Sequence, residues 1–155
     1  IYQNKLSLTR IVNFSKERLY RYIAIGAVIG LALGTVEYFI LYPAPAFPSF
    51  EVKYLLRDMA YMLLFVGFGE ELLFRGLLQV DLMKVFGELW GLILASAMFA
   101  IMHLTWRSVP ELVFVFAAGL ILGYFYWKTK SLTLPIIIHA VNNVMLVAVL
   151  PYVFR

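Results

Sequence analysis

Glu70-Glu71-Leu72-Leu73-Phe74-Arg75 lies in the middle of an apolar stretch that runs from about Tyr54 to Val80. About 20 apolar residues are enough for a helix to cross a bilayer, so this stretch predicts a membrane span. A charged side chain at the centre of a membrane costs roughly 2.5–3.5 kcal/mol. Two acids and a base inside such a segment therefore indicate a functional site.

Four further apolar stretches accompany it, at about Tyr22–Leu41, Leu89–Leu104, Leu112–Trp127 and Leu132–Phe154. Hydrophobic residues make up 63% of the chain and charged residues 14%, whereas soluble domains have about 45–50% and about 25%. We predict an all-α, polytopic transmembrane helix bundle with about five spans. The absence of cysteine excludes disulfides, thiolate metal ligands and a cysteine nucleophile.

Basic residues predict the orientation of the bundle. If the N-terminus is inside, the inner side holds Lys5, Arg10, Lys16, Arg18, Arg21, Lys84, Lys128 and Lys130, and the outer side holds Lys53, Arg57, Arg107 and Arg155. This excess of positive charge favours an inside N-terminus. The net charge of +4 is modest, and its crowding near the N-terminus is typical of a topology signal and not of a nucleic-acid surface.

The chain divides into three parts. These are a basic segment on the inner side (residues 1–21), a first span with a proline-rich outer loop (22–53) and a helical core (54–155). Because the sequence begins with Ile1 and not with methionine, we expect the natural protein to be longer, with room for upstream helices. Small residues recur every four positions on two spans, at Gly26, Gly30 and Gly34 and at Gly119 and Gly123. They predict close helix packing within the chain, with a dimer interface as the alternative.

The two glutamates are predicted to differ. Glu71 and Arg75 are four residues apart on one helix face, so they can form an ion pair. Glu70 points about 100° away, which makes it the freer carboxylate and a candidate proton acceptor. The alternative is that all three groups form one buried ion network that holds helices in register.

The two histidines of the chain lie in the third and fifth stretches. His139 and Asn143 are four residues apart, and together they could donate hydrogen bonds to a developing oxyanion. His139 could instead ligate a metal, or the pair could form polar contacts between helices. His103 closes the third stretch, one turn after Phe99. Glu37 is another intramembrane acid, to which we assign no catalytic role.

These clusters resemble the CAAX-protease and bacteriocin-processing (CPBP, or Abi) family of intramembrane proteases. That family is marked by Glu-Glu-x-x-x-Arg, Phe-x-x-x-His and His-x-x-x-Asn, which are here Glu70-Glu71…Arg75, Phe99…His103 and His139…Asn143. The motifs occur in order, each in an apolar stretch, and the resemblance covers about Tyr54–Leu150. It makes residues 54–155 a CPBP-like catalytic core.

The resemblance implies an endopeptidase that hydrolyses peptide bonds of membrane-associated or lipidated substrates. By position, Glu70 would activate the water with help from His103, and His139 and Asn143 would stabilise the oxyanion. Glu71 and Arg75 would support these groups. Residues 77–88 are expected to bend or lie near the membrane surface, so that Glu70 and His103 point into one cavity.

The sequence leaves open whether the reaction requires a metal ion. The family has also been described as metal-dependent, and in that scheme Glu70, His103 and His139 would bind zinc and leave a position for water. The sequence lacks His-Glu-x-x-His, which does not decide between the schemes. We favour the glutamate-and-water scheme slightly, because Asn143 is a natural oxyanion donor.

Two other function classes are compatible with the sequence. The chain could be a catalytically silent CPBP-like scaffold or accessory subunit of a larger membrane complex, or a transporter or proton relay that uses the buried carboxylates. The expected partners are a peptide or lipidated protein substrate, the lipid bilayer and membrane-complex subunits, with no nucleic acid. The expected location is a prokaryotic plasma membrane, with the N-terminus inside.

Overall fold

The computed structural model describes residues 16–154, which are helical apart from short connections and contain no strand. Most of the predicted N-terminal segment, with Lys5 and Arg10 of the orientation argument, lies outside the described residues, as does Arg155. The expectation that the natural protein extends upstream also concerns residues outside this range.

The helices follow the predicted apolar stretches. The first, α1, spans Lys16–Leu41. A second helical run consists of α2 (Val52–Tyr61), a π-helix (Met62–Gly67), α3 (Phe68–Glu71), a second π-helix (Leu72–Gln79) and α4 (Val80–Phe86). Then come α5 (Glu88–Ile101), α6 (Val109–Thr129), α7 (Thr133–Val144), a third π-helix (Met145–Val149) and α8 (Leu150–Val153).

Four helical segments are long and apolar enough to cross a membrane: Glu17–Leu41, Glu88–Trp106, Val109–Thr129 and Thr133–Val153. The helical run 52–86, which carries the paired glutamates, accompanies them. Large apolar side chains such as Val28, Phe65 and Val113 are more than 60% exposed, as expected for surfaces that face lipid. The all-α bundle with about five spans is confirmed, and the chain is an integral membrane protein.

The second run ends later than the sequence predicted. Its helix continues to Phe86 and stops at Gly87, whose φ of +84° is readily available only to glycine. The chain then reverses into α5, and Gly91 lies so close to the backbone of Met83 that a side chain would not fit between them. Residues 77–86 are therefore helical and pack against the start of α5.

The glycines of α1 pack against the last long helix, as the prediction of packing within the chain required. A methyl group at Gly30 would lie 2.7 Å from the carbonyl oxygen of Ile138, and one at Gly34 would lie 2.5 Å from that of Asn142. Without these side chains, the backbones of α1 and α7 approach closely. The first helix is thereby held against the helix that carries His139 and Asn143.

Two glycines of α6 also allow close contact with neighbouring helices. Gly119 lies against Ser96 and Phe99 of α5, and Gly123 lies against Gln79. The backbone carbonyl groups of these two glycines accept hydrogen bonds from Arg75 and Gln79. The second run, α5, α6 and α7 therefore meet around the polar residues of the predicted site.

Candidate active site

Glu71 connects two of the predicted motifs. Its Oε1 atom accepts a hydrogen bond from Arg75 Nη1 at 2.8 Å and another from His139 Nδ1 at 2.8 Å. The side chain of Glu71 is fully buried, so neither interaction is screened by water. The predicted pair of Glu71 and Arg75 is confirmed, and it includes a histidine from α7.

Arg75 is held on three sides. Its Nη2 atom donates to the carbonyl oxygen of Gly119 at 3.3 Å, and its guanidinium carbon lies 4.3 Å from the centre of the Phe99 ring. The Phe99 ring in turn contacts the rings of Phe74 and His139. Because Arg75 is 1% exposed, these contacts and Glu71 replace the water it gives up on burial.

The contact with Glu71 determines which nitrogen of His139 carries a proton. A carboxylate only accepts hydrogen bonds, so Nδ1 is the protonated nitrogen and Nε2 is directed elsewhere. The Nε2 atom lies 3.8 Å from Oε2 of Glu70. The Glu70 side chain is 37% exposed and that of Glu71 is 0% exposed, which agrees with the prediction that Glu70 is the freer carboxylate.

His103 has a different environment. Its Nδ1 atom lies 3.0 Å from the carbonyl oxygen of Phe99. The centres of the His103 and Phe99 rings are 4.9 Å apart. Since a carbonyl oxygen cannot donate, Nδ1 carries the proton here as well. Within residues 16–154 the structure has no ion pair or hydrogen bond between His103 and Glu70. The histidine that contacts Glu70 is His139, in place of the predicted partner His103.

A small cavity of about 20 Å³ lies between α1, α5, α6 and α7, which is room for about one water molecule. Its polar lining consists of Glu37, His103, His139, Asn142 and Asn143. Both histidines and Asn143 thus line one cavity, and Glu70 lies beside it through its contact with His139.

Two buried acids, Glu37 in the cavity lining and Glu111 close to Glu37, accompany the two histidines. Glu37 of α1 accepts a hydrogen bond from Asn142 Nδ2, and the same nitrogen lies 3.3 Å from Oδ1 of Asn143. Glu111, at the start of α6, is 0% exposed, and its carboxyl group interacts with Glu37 and with His103. A proton shared between the two acids would remove the repulsion of adjacent carboxylates.

The sequence did not single out Glu111, and a local signal explains why. Ser108 caps α6 by accepting a hydrogen bond from the backbone nitrogen of Glu111 at 3.3 Å. A serine followed three residues later by glutamate is the common signature of a helix start. Glu111 therefore resembles an ordinary capping residue, and only the fold places its side chain beside His103.

The polar groups do not form a ready metal site. Within residues 16–154 no three His, Cys, Asp or Glu side chains come together in a group that could hold a metal ion. Of the suggested zinc ligands, Glu70 contacts His139, whereas His103 lines the same cavity as His139 and is hydrogen-bonded to the carbonyl oxygen of Phe99. We therefore derive no catalytic step through zinc, and metal dependence stays a prediction.

Comparison with known proteins identifies one family. The sequence model of the family described as type II CAAX prenyl endopeptidase Rce1-like matches residues 53–145, which is more than half of the chain. The matched segment contains all three motifs, from Glu70 to Asn143, and it confirms the resemblance drawn from them. No curated protein and no solved structure matches the chain.

Proposed function

This chain belongs to the type II CAAX prenyl endopeptidase Rce1-like family, and from that premise we propose that it is an intramembrane endopeptidase acting on lipid-modified, membrane-associated proteins. The observation that carries the proposal is the contact of Glu70 with a histidine that Glu71 and Arg75 hold in place. A carboxylate and an imidazole beside a cavity are the groups that activate water for hydrolysis.

In the proposed reaction, the nucleophilic water lies between Glu70 and His139. A water oxygen about 2.8 Å from each partner is compatible with the 3.8 Å between Oε2 and Nε2. Glu70 accepts a proton from the water as the oxygen adds to the carbonyl carbon of the scissile bond. When the C–N bond breaks, Glu70 returns the proton to the leaving nitrogen, which becomes the new amine.

The negative charge that develops on the carbonyl oxygen requires donors. Asn143 lines the cavity, and its side-chain amide donates hydrogen bonds whatever the pH. The Nε2 atom of His103 or His139 donates only when that ring is positively charged, because Nδ1 carries the proton of each neutral ring. We therefore assign Asn143 as the principal oxyanion donor. Glu71 and Arg75 keep His139 in the required tautomer.

An apolar cavity supports the choice of a lipid-modified substrate. It has a volume of about 460 Å³ and lies between α1, α2 with the π-helix that follows it, and α7, where Leu31, Leu63 and Val141 are among its lining residues. Ala140, next to His139 in sequence, also lines it. A hydrocarbon chain bound there would contact α7, the helix that also carries His139. Burial of its methylene groups would favour binding.

Cleavage of a defined peptide tests the proposal. The purified protein is reconstituted in lipid vesicles and given a prenylated peptide that ends in a CAAX sequence, together with the same peptide without the prenyl group. We expect cleavage of the prenylated peptide and a loss of at least about 100-fold in kcat for Glu70→Gln, which is the usual contribution of a general base. The matched control, Glu88→Gln, changes an exposed glutamate at the start of α5 and should retain full activity.

Three results would count against this scheme. A wild-type protein that cleaves neither peptide would favour the scaffold, and a Glu70→Gln variant as active as wild type would exclude Glu70 as the base. Activity that a chelator abolishes and added zinc restores would replace water activation by glutamate alone with the zinc-assisted reaction.

A further inference from the structure

Glu37 lies outside the residues that match the family, yet its side chain contacts α7, the helix that carries His139 and Asn143. It belongs to α1, ahead of the matched residues 53–145. Its side chain is 5% exposed and accepts a hydrogen bond from Nδ2 of Asn142. The close approach of Gly34 to the backbone of Asn142 sets this contact, because Gly34 lies one turn before Glu37 on α1.

The hydrogen bonds that begin at Glu37 have a fixed direction. Oε2 of Glu37 accepts from the side-chain nitrogen of Asn142, and this direction holds for a charged carboxylate and for a carboxyl group whose proton lies on its other oxygen. That nitrogen carries a second hydrogen, which is directed to Oδ1 of Asn143 at 3.3 Å. With its oxygen occupied in this way, Asn143 has its own NH₂ group left for the cavity that it lines.

We propose that Glu37 is a positioning residue for the peptidase reaction. Through Asn142 it determines which end of the Asn143 amide faces the reacting carbonyl group. This inference rests on the proposed function, in which Asn143 donates to the oxyanion. An Asn143 amide turned the other way would present an oxygen to a developing negative charge, which repels it and raises the barrier.

Glu111 is compatible with this role. Its carboxyl group faces Glu37 from α6. A proton shared by the two acids would still leave Oε2 of Glu37 able to accept from Asn142. The alternative is that Glu37 and Asn142 are only a polar contact between α1 and α7. Both roles require a hydrogen bond at this place, but only the positioning role requires a particular direction.

A reversal of the hydrogen-bond direction separates the two roles. In the double variant Glu37→Gln/Asn142→Asp, the introduced glutamine can donate to the introduced aspartate, so the contact between the helices is kept. The aspartate must then accept from Asn143, which turns the oxygen of Asn143 toward the cavity. We expect a thermal unfolding midpoint close to that of wild type, an unchanged KM for the prenylated peptide and a kcat lower by about 100-fold, the usual cost of losing one oxyanion donor.

Glu37→Gln alone is the conservative variant. Its carbonyl oxygen can accept from Asn142, so kcat should stay near the wild-type value, whereas Glu37→Leu should lower kcat without raising KM. A folded double variant with wild-type kcat would overturn the inference. If the double variant does not fold, the single variants decide, and equal kcat values for Glu37→Gln and Glu37→Leu would also overturn it.

The same assay distinguishes failure of the proposed peptidase function from failure of the positioning role of Glu37. If wild type cleaves nothing, or if Glu70→Gln is fully active, the peptidase scheme fails and the role of Glu37 falls with it. If Glu70→Gln is inactive while the reversed pair retains wild-type kcat, the peptidase scheme stands and only the positioning role is lost.

Discussion

One oxygen of the Glu71 carboxylate carries both of its hydrogen bonds. Oε1 accepts from Arg75 and His139, and within the described residues 16–154 Oε2 has no hydrogen-bond partner. A fully buried carboxylate with so few partners depends strongly on the positive charge of Arg75, because burial has removed the hydration by bulk solvent that would otherwise stabilise its own charge. The ion pair and the tautomer of His139 are therefore linked through a single atom.

Substitution of Arg75 by methionine tests this dependence. Arg75→Met keeps most of the volume but leaves the Glu71 carboxylate without its cation, and removal of one partner of a buried pair costs about 3–5 kcal/mol. Unfolding of the reconstituted protein by denaturant gives the change in free energy. The control is Arg21→Met, which removes an ion pair with Glu17 whose side chains are more than 70% exposed and should have a much smaller effect. Equal effects of the two substitutions would contradict the buried-pair argument.

At the level of residues, short spacings were predictable and long-range contacts were not. The pairing of Glu71 with Arg75 follows from a spacing of four on a helix. The bond from His139 to Glu71 joins residues 68 positions apart, and no periodicity in the sequence encodes it. The sequence therefore placed Glu70, His103 and His139 in one site, but it assigned the help in water activation to His103, whereas the histidine in contact with Glu70 is His139.

Among the helices, the pair formed by α1 and α7 determines the shape of the site. Gly26, Gly30 and Gly34 face α7 along three successive turns, and at each of them an added Cβ would lie 2.5–2.7 Å from an atom of α7 or of the π-helix that follows. Small faces of this kind replace the hydrophobic driving force that is absent between helices in lipid. The absence of side chains at these three glycines therefore allows the close approach of α1 and α7.

Gly34→Val is the corresponding test. The added methyl groups would push α1 away from Asn142, and overpacking of this kind costs about 1–3 kcal/mol or more. We expect lower stability together with a lower kcat, because Glu37 moves with α1. The control, Ala32→Val, adds two methyl groups to the existing Cβ at an exposed position of α1 and should change neither quantity. An active, stable Gly34→Val protein would show that the helices can separate at no cost.

The helices themselves were predictable, but their internal geometry was not. Apolar composition over about 20 residues locates the spans. It carries no information on the π-helices Met62–Gly67 and Leu72–Gln79, which lie on either side of Glu70 and Glu71. A π-helix shifts each hydrogen bond by only one residue and has no compositional signal, although such turns often occur at functional sites.

For the molecule as a whole, orientation in the membrane is the open prediction. The chain has no cysteine, so single introduced cysteines can be labelled without interference. If the N-terminus is inside, a membrane-impermeant maleimide should label Ser49→Cys in the outer loop on intact cells and should not label Glu88→Cys, at the turn after Gly87. Both variants should react after solubilisation in detergent. The reverse pattern would place the N-terminus outside, against the distribution of lysine and arginine.

For the whole bundle, the sequence predicted the class of fold but not which helices pack against each other. Hydropathy and three motifs were enough to predict a membrane-embedded helical protein of this family. They could not predict that the first helix lies against the last long helix, because any order of packing satisfies the same apolar pattern. The cavity depends on that packing, since Leu33 and Glu37 come from α1 while His139 and Asn143 come from α7.

Leu33 and Glu37 also determine whether the matched segment could be moved into another protein with its cavity intact. They precede residues 53–145, so a chimera that joins those residues to a foreign leading helix would inherit every family motif and lose one wall of the pocket. A shortened version of this protein that keeps the complete cavity has to include α1.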